Sequence, residues 1–115
     1  MAGLTVGFAG LSHLGIVSGC AAAEKGFNVV GYDDEAAVVD ALAGGILPVV
    51  EPDLPETFER NIDRLTFTSK PGDLTVCDIV YISRDVPTDD QGISDVSAIT
   101  DLIERVQPYI RQDAV

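Results

Sequence analysis

Basic residues are scarce in this chain. Seven lysines and arginines stand against 19 aspartates and glutamates, a formal charge of −12. A face that neutralises a run of phosphates cannot be built from so few cations, which excludes nucleic acid as a partner. A small anionic cofactor stays open, because backbone N–H groups at a helix start bind phosphate without basic side chains. Cysteine is almost missing: Cys20 and Cys77 make neither a disulfide framework nor a zinc pattern. Each reads as a small buried apolar residue. His13 is the one histidine, and no Ser-His-Asp set, metal cluster or paired carboxylates stand out; Asp89-Asp90 reads as a solvated loop. Long apolar runs are lacking too. The longest, around residues 14–23, meets Glu24-Lys25 and is far too short to span a bilayer. The first residues carry no charged region ahead of an apolar one. A cytoplasmic protein without membrane contact is expected.

What is present suits one core. With 115 residues, 46% hydrophobic and 23% charged, the chain is long enough for one domain and too short for two. Residues 4–9 are an apolar run ending at Gly10, which predicts a buried strand. From His13 to Lys25, Leu14, Val17, Ala21 and Ala22 recur at helical spacing, and Gly26 supplies a C-cap. Residues 27–32 read as a second strand closed by Asp33-Asp34, and residues 35–43 as a helix stopped by Gly44-Gly45. This β-α-β-α order predicts an α/β fold, a doubly wound parallel sheet of the Rossmann-like type. After a loop at 46–52, Asp53 is expected to cap a short helix with Glu56 as its reciprocal capping-box partner. Residues 65–68 and 79–83 are the third and fourth strands, with a turn at 70–73 between them. A polar loop at 84–94 contains Pro87 and Gly92. A last helix begins near Asp95, sets Val96, Ile99, Leu102, Ile103 and Val106 on one face, and ends around residues 108–110. Asp113-Ala114-Val115 looks like the first step of a fifth strand. Residues 1–115 therefore read as one domain truncated inside its sheet, a fragment of a longer chain.

The junction of the first strand and helix carries the chemistry. Gly10-Leu11-Ser12-His13-Leu14-Gly15, with Asp33 a further 23 residues after Gly10, makes up most of a G-x-G-x-x-G dinucleotide fingerprint. Gly10 permits the tight turn, and Gly15 lets the helix pack closely on the strand. The middle glycine, which normally lets a pyrophosphate approach the amides, is Ser12. Either the pyrophosphate shifts outward and accepts from the hydroxyl, or binding is weakened or lost. The helix dipole favours an anion there in both cases. Asp33 would accept from the 2′- and 3′-hydroxyls of an adenosine ribose and repel a 2′-phosphate, which favours NAD over NADP. It would equally cap the helix that follows. His13, at a helix N-terminus, is expected as a neutral ring that lines the nucleotide pocket or donates to a phosphate, not as a general acid. Two functions stay open on these residues: a cofactor-binding dehydrogenase domain, or a degenerate module without cofactor in a regulatory or interaction role.

Four segments match one family in order. TVGFAGLSHLGIVSGCAA at residues 5–22 is similar to a pattern of the form GLGYVGL, and VVGYD ends in Asp33. Gly45-x-x-Pro48-Val49-Val50-Glu51-Pro52-Asp53-Leu54 is similar to GxxPIYEPGL. Asp78-Ile79-Val80-Tyr81-Ile82-Ser83, Pro87 and Gly92-x-x-Asp95-x-Ser97 are similar to DVVFIAVxTP…DGSADLS. The chain resembles the N-terminal NAD-binding domain of nucleotide-sugar dehydrogenases, which oxidise UDP-glucose or GDP-mannose at C6. A hydroxy-acid dehydrogenase sharing the first domain is not expected to carry the GxxPxxEP loop. The resemblance implies NAD as cofactor, with Gly10, Leu11, Ser12, His13, Leu14 and Gly15 facing its pyrophosphate and Asp33 its adenosine ribose. Ser83, Arg84 and Pro87 would lie along the cofactor's flank. It further implies a sugar nucleotide as substrate of the full-length protein, two successive oxidations to the carboxylate, and a place in polysaccharide biosynthesis. The family's nucleophilic cysteine, lysine and asparagine belong to later segments; neither Cys20 nor Cys77 aligns with that cysteine, so no residue here is expected to be catalytic. Four departures stand out: Ser12 for glycine, His13 for tyrosine, Val38 for a lysine, and Arg84-Asp85-Val86 for small and apolar residues and a threonine. Oligomeric state is left open, a homodimer included.

Overall fold

The computed structural model describes residues 3–85, 90–92 and 96–115. Its elements are β1 (Thr5–Ala9), α1 (His13–Glu24), β2 (Asn28–Tyr32), α2 (Ala36–Ala43), α3 (Leu54–Arg60), β3 (Leu65–Thr68), β4 (Ile79–Ile82) and α4 (Ser97–Val106). Short 3₁₀ turns occupy Ile62–Arg64, Pro71–Val76 and Gln107–Tyr109. The strands order as β3-β2-β1-β4, and every neighbouring pair is parallel. Strand growth thus reverses after β3 and resumes on the other side of β1. That is the doubly wound arrangement expected from the sequence, and it opens a crevice beyond the carboxyl end of β1.

Alternation along the strands builds two cores. Val6, Phe8, Val29 and Leu65 face α1, α2 and α3, where Ile16, Cys20, Leu42 and Phe58 complete the layer. Ala9, Val30 and Tyr32 face the opposite way, against Leu74 and Cys77 of the 3₁₀ segment and Leu102 and Val106 of α4. Such double burial is why these strands read as continuous apolar runs. The turn expected at 70–73 extends into the 3₁₀ segment Pro71–Val76, since Leu74 is drawn fully into this second core.

Three local expectations are corrected. The buried stripe of α1 is Gly15, Ile16, Gly19, Cys20 and Ala23, whereas Leu14 is 60% exposed and Ala21 also faces outward. This helix is apolar nearly all round, so spacing alone could not choose a face; the small glycines turn toward the strands because the helix sits close to them. Asp53 does precede α3, but in the left-handed region at φ 66°, and its side chain makes no capping bond. Its carbonyl oxygen instead accepts from the Thr57 amide and hydroxyl, so the capping box with Glu56 does not form. On α4, Leu102 and Val106 are buried, but Val96 and Ile103 are exposed. The expected start near Asp95 lies outside the described residues. At the other end, Val115 donates its amide to Asp78 O (3.0 Å) and accepts from Val80 N (2.8 Å). These two bonds set Val115 beside the outer edge of β4 in the spacing of a parallel pair, while the sheet itself has four strands. No helix among the described residues is long and apolar enough to cross a membrane.

Candidate cofactor site

Three strand ends converge on the crevice: Gly10 after β1, Asp33 after β2, and Ser83 with Arg84 after β4. Gly10 has φ 107°, and a Cβ there would lie 2.6 Å from the Arg84 amide nitrogen. Both facts require glycine. Its amide donates to Tyr32 O (2.8 Å) and its carbonyl accepts from Ser83 Oγ (2.6 Å), so the turn is tied to β2 and β4 together. A Cβ on Gly15 would lie 2.2 Å from that same Gly10 carbonyl oxygen. Gly15 is the close-packing glycine that the fingerprint demands.

Ser12 explains how the middle position dispenses with glycine. Its backbone is ordinary extended chain at φ −75°, ψ −179°, a conformation open to any residue. Its hydroxyl donates to the Ser83 carbonyl oxygen and accepts from the Gly15 amide (3.4 Å), acting as the N-cap of α1. The side chain is therefore anchored toward the end of β4. The amides of Ser12, His13 and Leu14 find no acceptor among the described residues, as the opening turn of a helix requires. Those donors are what an anion at this turn would use.

Asp33 is 8% exposed and fixes the far wall. Oδ2 accepts from the Leu11 amide and Oδ1 from the Glu35 amide, both at 2.9 Å. The second bond closes a local turn ahead of α2, but the expected cap by Asp33 does not form, because the N-cap of α2 is Glu35 and no side chain caps it. The first, which joins Asp33 to the turn after β1 across 22 residues, was not foreseen. Each carboxylate oxygen has room for a second donor. Between turn and carboxylate lies a cavity of about 260 Å³, whose walls include Ser12, Val38, Arg84 and Ala98.

Two further contacts escaped the sequence. His13 Nε2 lies 2.5 Å from Glu51 Oε1, which ties the helix start to the loop before α3. Arg84 Nη2 reaches Asp34 Oδ1 at 3.0 Å and stands 3.7 Å from Asp33 Oδ1, while Arg105 Nη1 approaches Asp34 Oδ2 at 3.7 Å. Burial pushes the Asp34 carboxyl up, but the hydrogen bond and charge of Arg84, with Arg105 behind it, outweigh that and hold it below its ordinary value. Leu14, placed in the site by sequence, presents an exposed side chain, so only its amide faces the turn's open end. Pro87 lies outside the described residues. Cys20 and Cys77 sit in separate cores, and burial lifts both thiols to about 11. A thiol held there stays protonated at neutral pH. No cluster of metal-ligating residues occurs among the described residues.

Fold and crevice together define a dinucleotide-binding domain of the doubly wound class. The model of the UDP-glucose/GDP-mannose dehydrogenase family, NAD binding domain, matches residues 4–115. The chain belongs to that family, whose cofactor at this domain is NAD, and the hydroxy-acid reading is set aside. UDP-glucose 6-dehydrogenase YwqF of Bacillus subtilis is 32% identical over 109 residues, covering 92% of this chain and 25% of that protein. UDP-glucose 6-dehydrogenase TuaD of the same organism is 34% identical over 93 residues, 78% and 20% of the two chains. A UDP-glucose dehydrogenase from the hyperthermophilic archaeon Pyrobaculum islandicum superposes with a TM-score of 0.81 at 26% identity, over 90% of this chain and 24% of that one. The chain thus spans about a quarter of the length of these relatives.

Proposed function

We propose that residues 10–15, Asp33, Ser83, Arg84 and Pro87 form the NAD site of this domain, within a longer cytoplasmic protein that oxidises a sugar nucleotide such as UDP-glucose at C6. The observation that carries the reading is the row of amides at Ser12, His13 and Leu14, which have no acceptor among the described residues and stand at the mouth of a crevice that Asp33 closes. These amides would receive the pyrophosphate, helped by the α1 dipole. Gly10 and Gly15 let the main chain come close enough, and Ser12 stays out of the way because its hydroxyl is bound to Ser83 O. The spare lone pairs of Asp33 would take the ribose hydroxyls. When bound, NAD supplies the hydride acceptor for oxidation of the sugar alcohol. The residues described here bind and orient it; catalysis, and with it a role in polysaccharide biosynthesis, belongs to the longer protein.

The second reading, a fold that no longer holds a cofactor, draws on Arg84, whose guanidinium occupies the ribose end of the crevice through Asp34. Calorimetric titration with NAD separates the two. Saturable heat at up to millimolar NAD, reduced in Asp33→Asn, supports the cofactor site. No heat from a protein that is folded by circular dichroism rejects it.

A further inference from the structure

Arg84 stands where the family pattern has a small apolar residue, and it changes the charge of the crevice at one point. Its main chain leaves β4 directly after Ser83, and its guanidinium turns back toward the strand-end carboxylates, 3.0 Å from Asp34 and 3.7 Å from Asp33. Its Nε is buried with no acceptor among the described residues. A buried guanidinium N–H without an acceptor is costly, and an incoming oxygen relieves that cost. Asp34 also has a second cation, Arg105 at 3.7 Å. Arg84 can therefore turn toward a ligand without leaving Asp34 unpaired. Asp33, Glu35 and Asp85 line the same cavity, where Arg84 is the one basic residue among the described lining residues, so an anion there depends on Arg84.

A lone carboxylate at this strand end accepts ribose hydroxyls and repels a 2′-phosphate, whereas an arginine beside it accommodates that phosphate. Arginine suits the task because its planar fork presents several donors to one phosphate group. We propose that Arg84 sets which dinucleotide the crevice admits: it relaxes the exclusion that Asp33 would enforce, so that NADP binds as well as NAD. The inference rests on the cofactor reading given above.

The test is calorimetric titration of the protein, of Arg84→Val and of Arg84→Gln with NAD and with NADP, each variant checked for its fold by circular dichroism. In the unaltered protein the two dissociation constants should lie within about tenfold of each other. Arg84→Val should weaken NADP by about tenfold or more, the worth of a charged hydrogen bond, and should weaken NADP more than it weakens NAD. Arg84→Gln keeps a neutral donor at similar length, should show the same loss for NADP, and stands in if the valine variant does not fold. NAD binding with NADP excluded, or a loss equal for both nucleotides in the variants, overturns the proposal while leaving the cofactor site intact. Failure of both nucleotides to bind the unaltered protein rejects the cofactor reading itself, and this inference with it.

Discussion

Two glycines one helical turn apart in α1 should respond in opposite ways to the same added methyl group. A Cβ at Gly15 would lie 2.2 Å from the Gly10 carbonyl oxygen and 2.8 Å from Ser83 Oγ. An ordinary carbon–oxygen approach is about 3.3 Å or longer, so the turn would have to open by about 1 Å. Overpacking of this kind costs about 1–3 kcal/mol, toward the upper end where the obstacle is main chain. Displacing the Ser83 hydroxyl from Gly10 O adds about 1 kcal/mol, and the better helix propensity of alanine returns about as much. Gly15→Ala should therefore lose about 2–3 kcal/mol. At Gly19 the nearest atoms to a new Cβ are Val29 Cγ1 at 3.5 Å and Phe8 Cδ2 at 3.6 Å, ordinary contacts. There the propensity gain stands alone, and Gly19→Ala should stabilise by about 0.5–1 kcal/mol. Urea unfolding followed by far-ultraviolet circular dichroism reads both. With a slope of about 1.5 kcal/mol/M, the midpoint should fall by about 1.3–2 M for Gly15→Ala and rise by about 0.5 M for Gly19→Ala. Equal midpoints in the two variants, or a Gly15→Ala midpoint at or above that of the unaltered chain, would refute the close approach of α1 to the turn.

Ser12→Ala should cost about 1 kcal/mol through loss of the cap, whereas Ser12→Gly costs only a few tenths; thermal melts that fail to separate the two would remove the capping role. Acid should destabilise the fold. Asp34 and Asp78 are held below their ordinary values, by Arg84 in one case and by the Thr5 amide and Arg111 in the other. The unfolded chain therefore takes up protons first, and the stability these groups supply is present above about pH 4 and lost as pH falls through their lowered values. Urea midpoints at pH 7 and pH 3 measure this, and Asp34→Asn should flatten the difference; a pH-independent midpoint contradicts it. Iodoacetamide should leave both thiols of the native protein unmodified at pH 7 and label both in urea, since a thiol near 11 is ionised to about one part in ten thousand. Rapid native labelling of Cys77 would mean that it is not buried in the core it shares with Leu74 and Val106.

The doubly wound parallel sheet and the glycine turn after β1 were legible because each rests on a local signal with one physical meaning. Apolar runs of five residues ending in Gly10 or Asp33 suit strands buried on both faces, and the glycine spacing suits one type of turn. The errors arise where several arrangements satisfy the same local pattern. A helix as uniformly apolar as α1 does not say which side faces the sheet; the clash at Gly15 decides that, and it depends on where Gly10 sits in space. Asp53 and Glu56 have capping-box spacing, but the left-handed turn at Asp53 aims its side chain elsewhere. Asp33 was readable as a candidate ribose ligand, while its bond to Leu11 required knowing that the ends of β1 and β2 are neighbours. His13 with Glu51, and Arg84 with Asp34 and Arg105, are long-range pairs between surface side chains. No spacing rule announces them. For Arg84, the departure from the family pattern was the available signal.

The central claim is that the opening turn of α1 is a phosphate-binding surface, and amide-resolved nuclear magnetic resonance during an NAD titration tests it most directly. The account predicts that the backbone N–H signals of Ser12, His13 and Leu14 shift together and saturably, with Leu11 and Glu35 following through Asp33. Saturable shifts confined to other parts of the chain, or no shift at millimolar NAD in a folded sample, would contradict it.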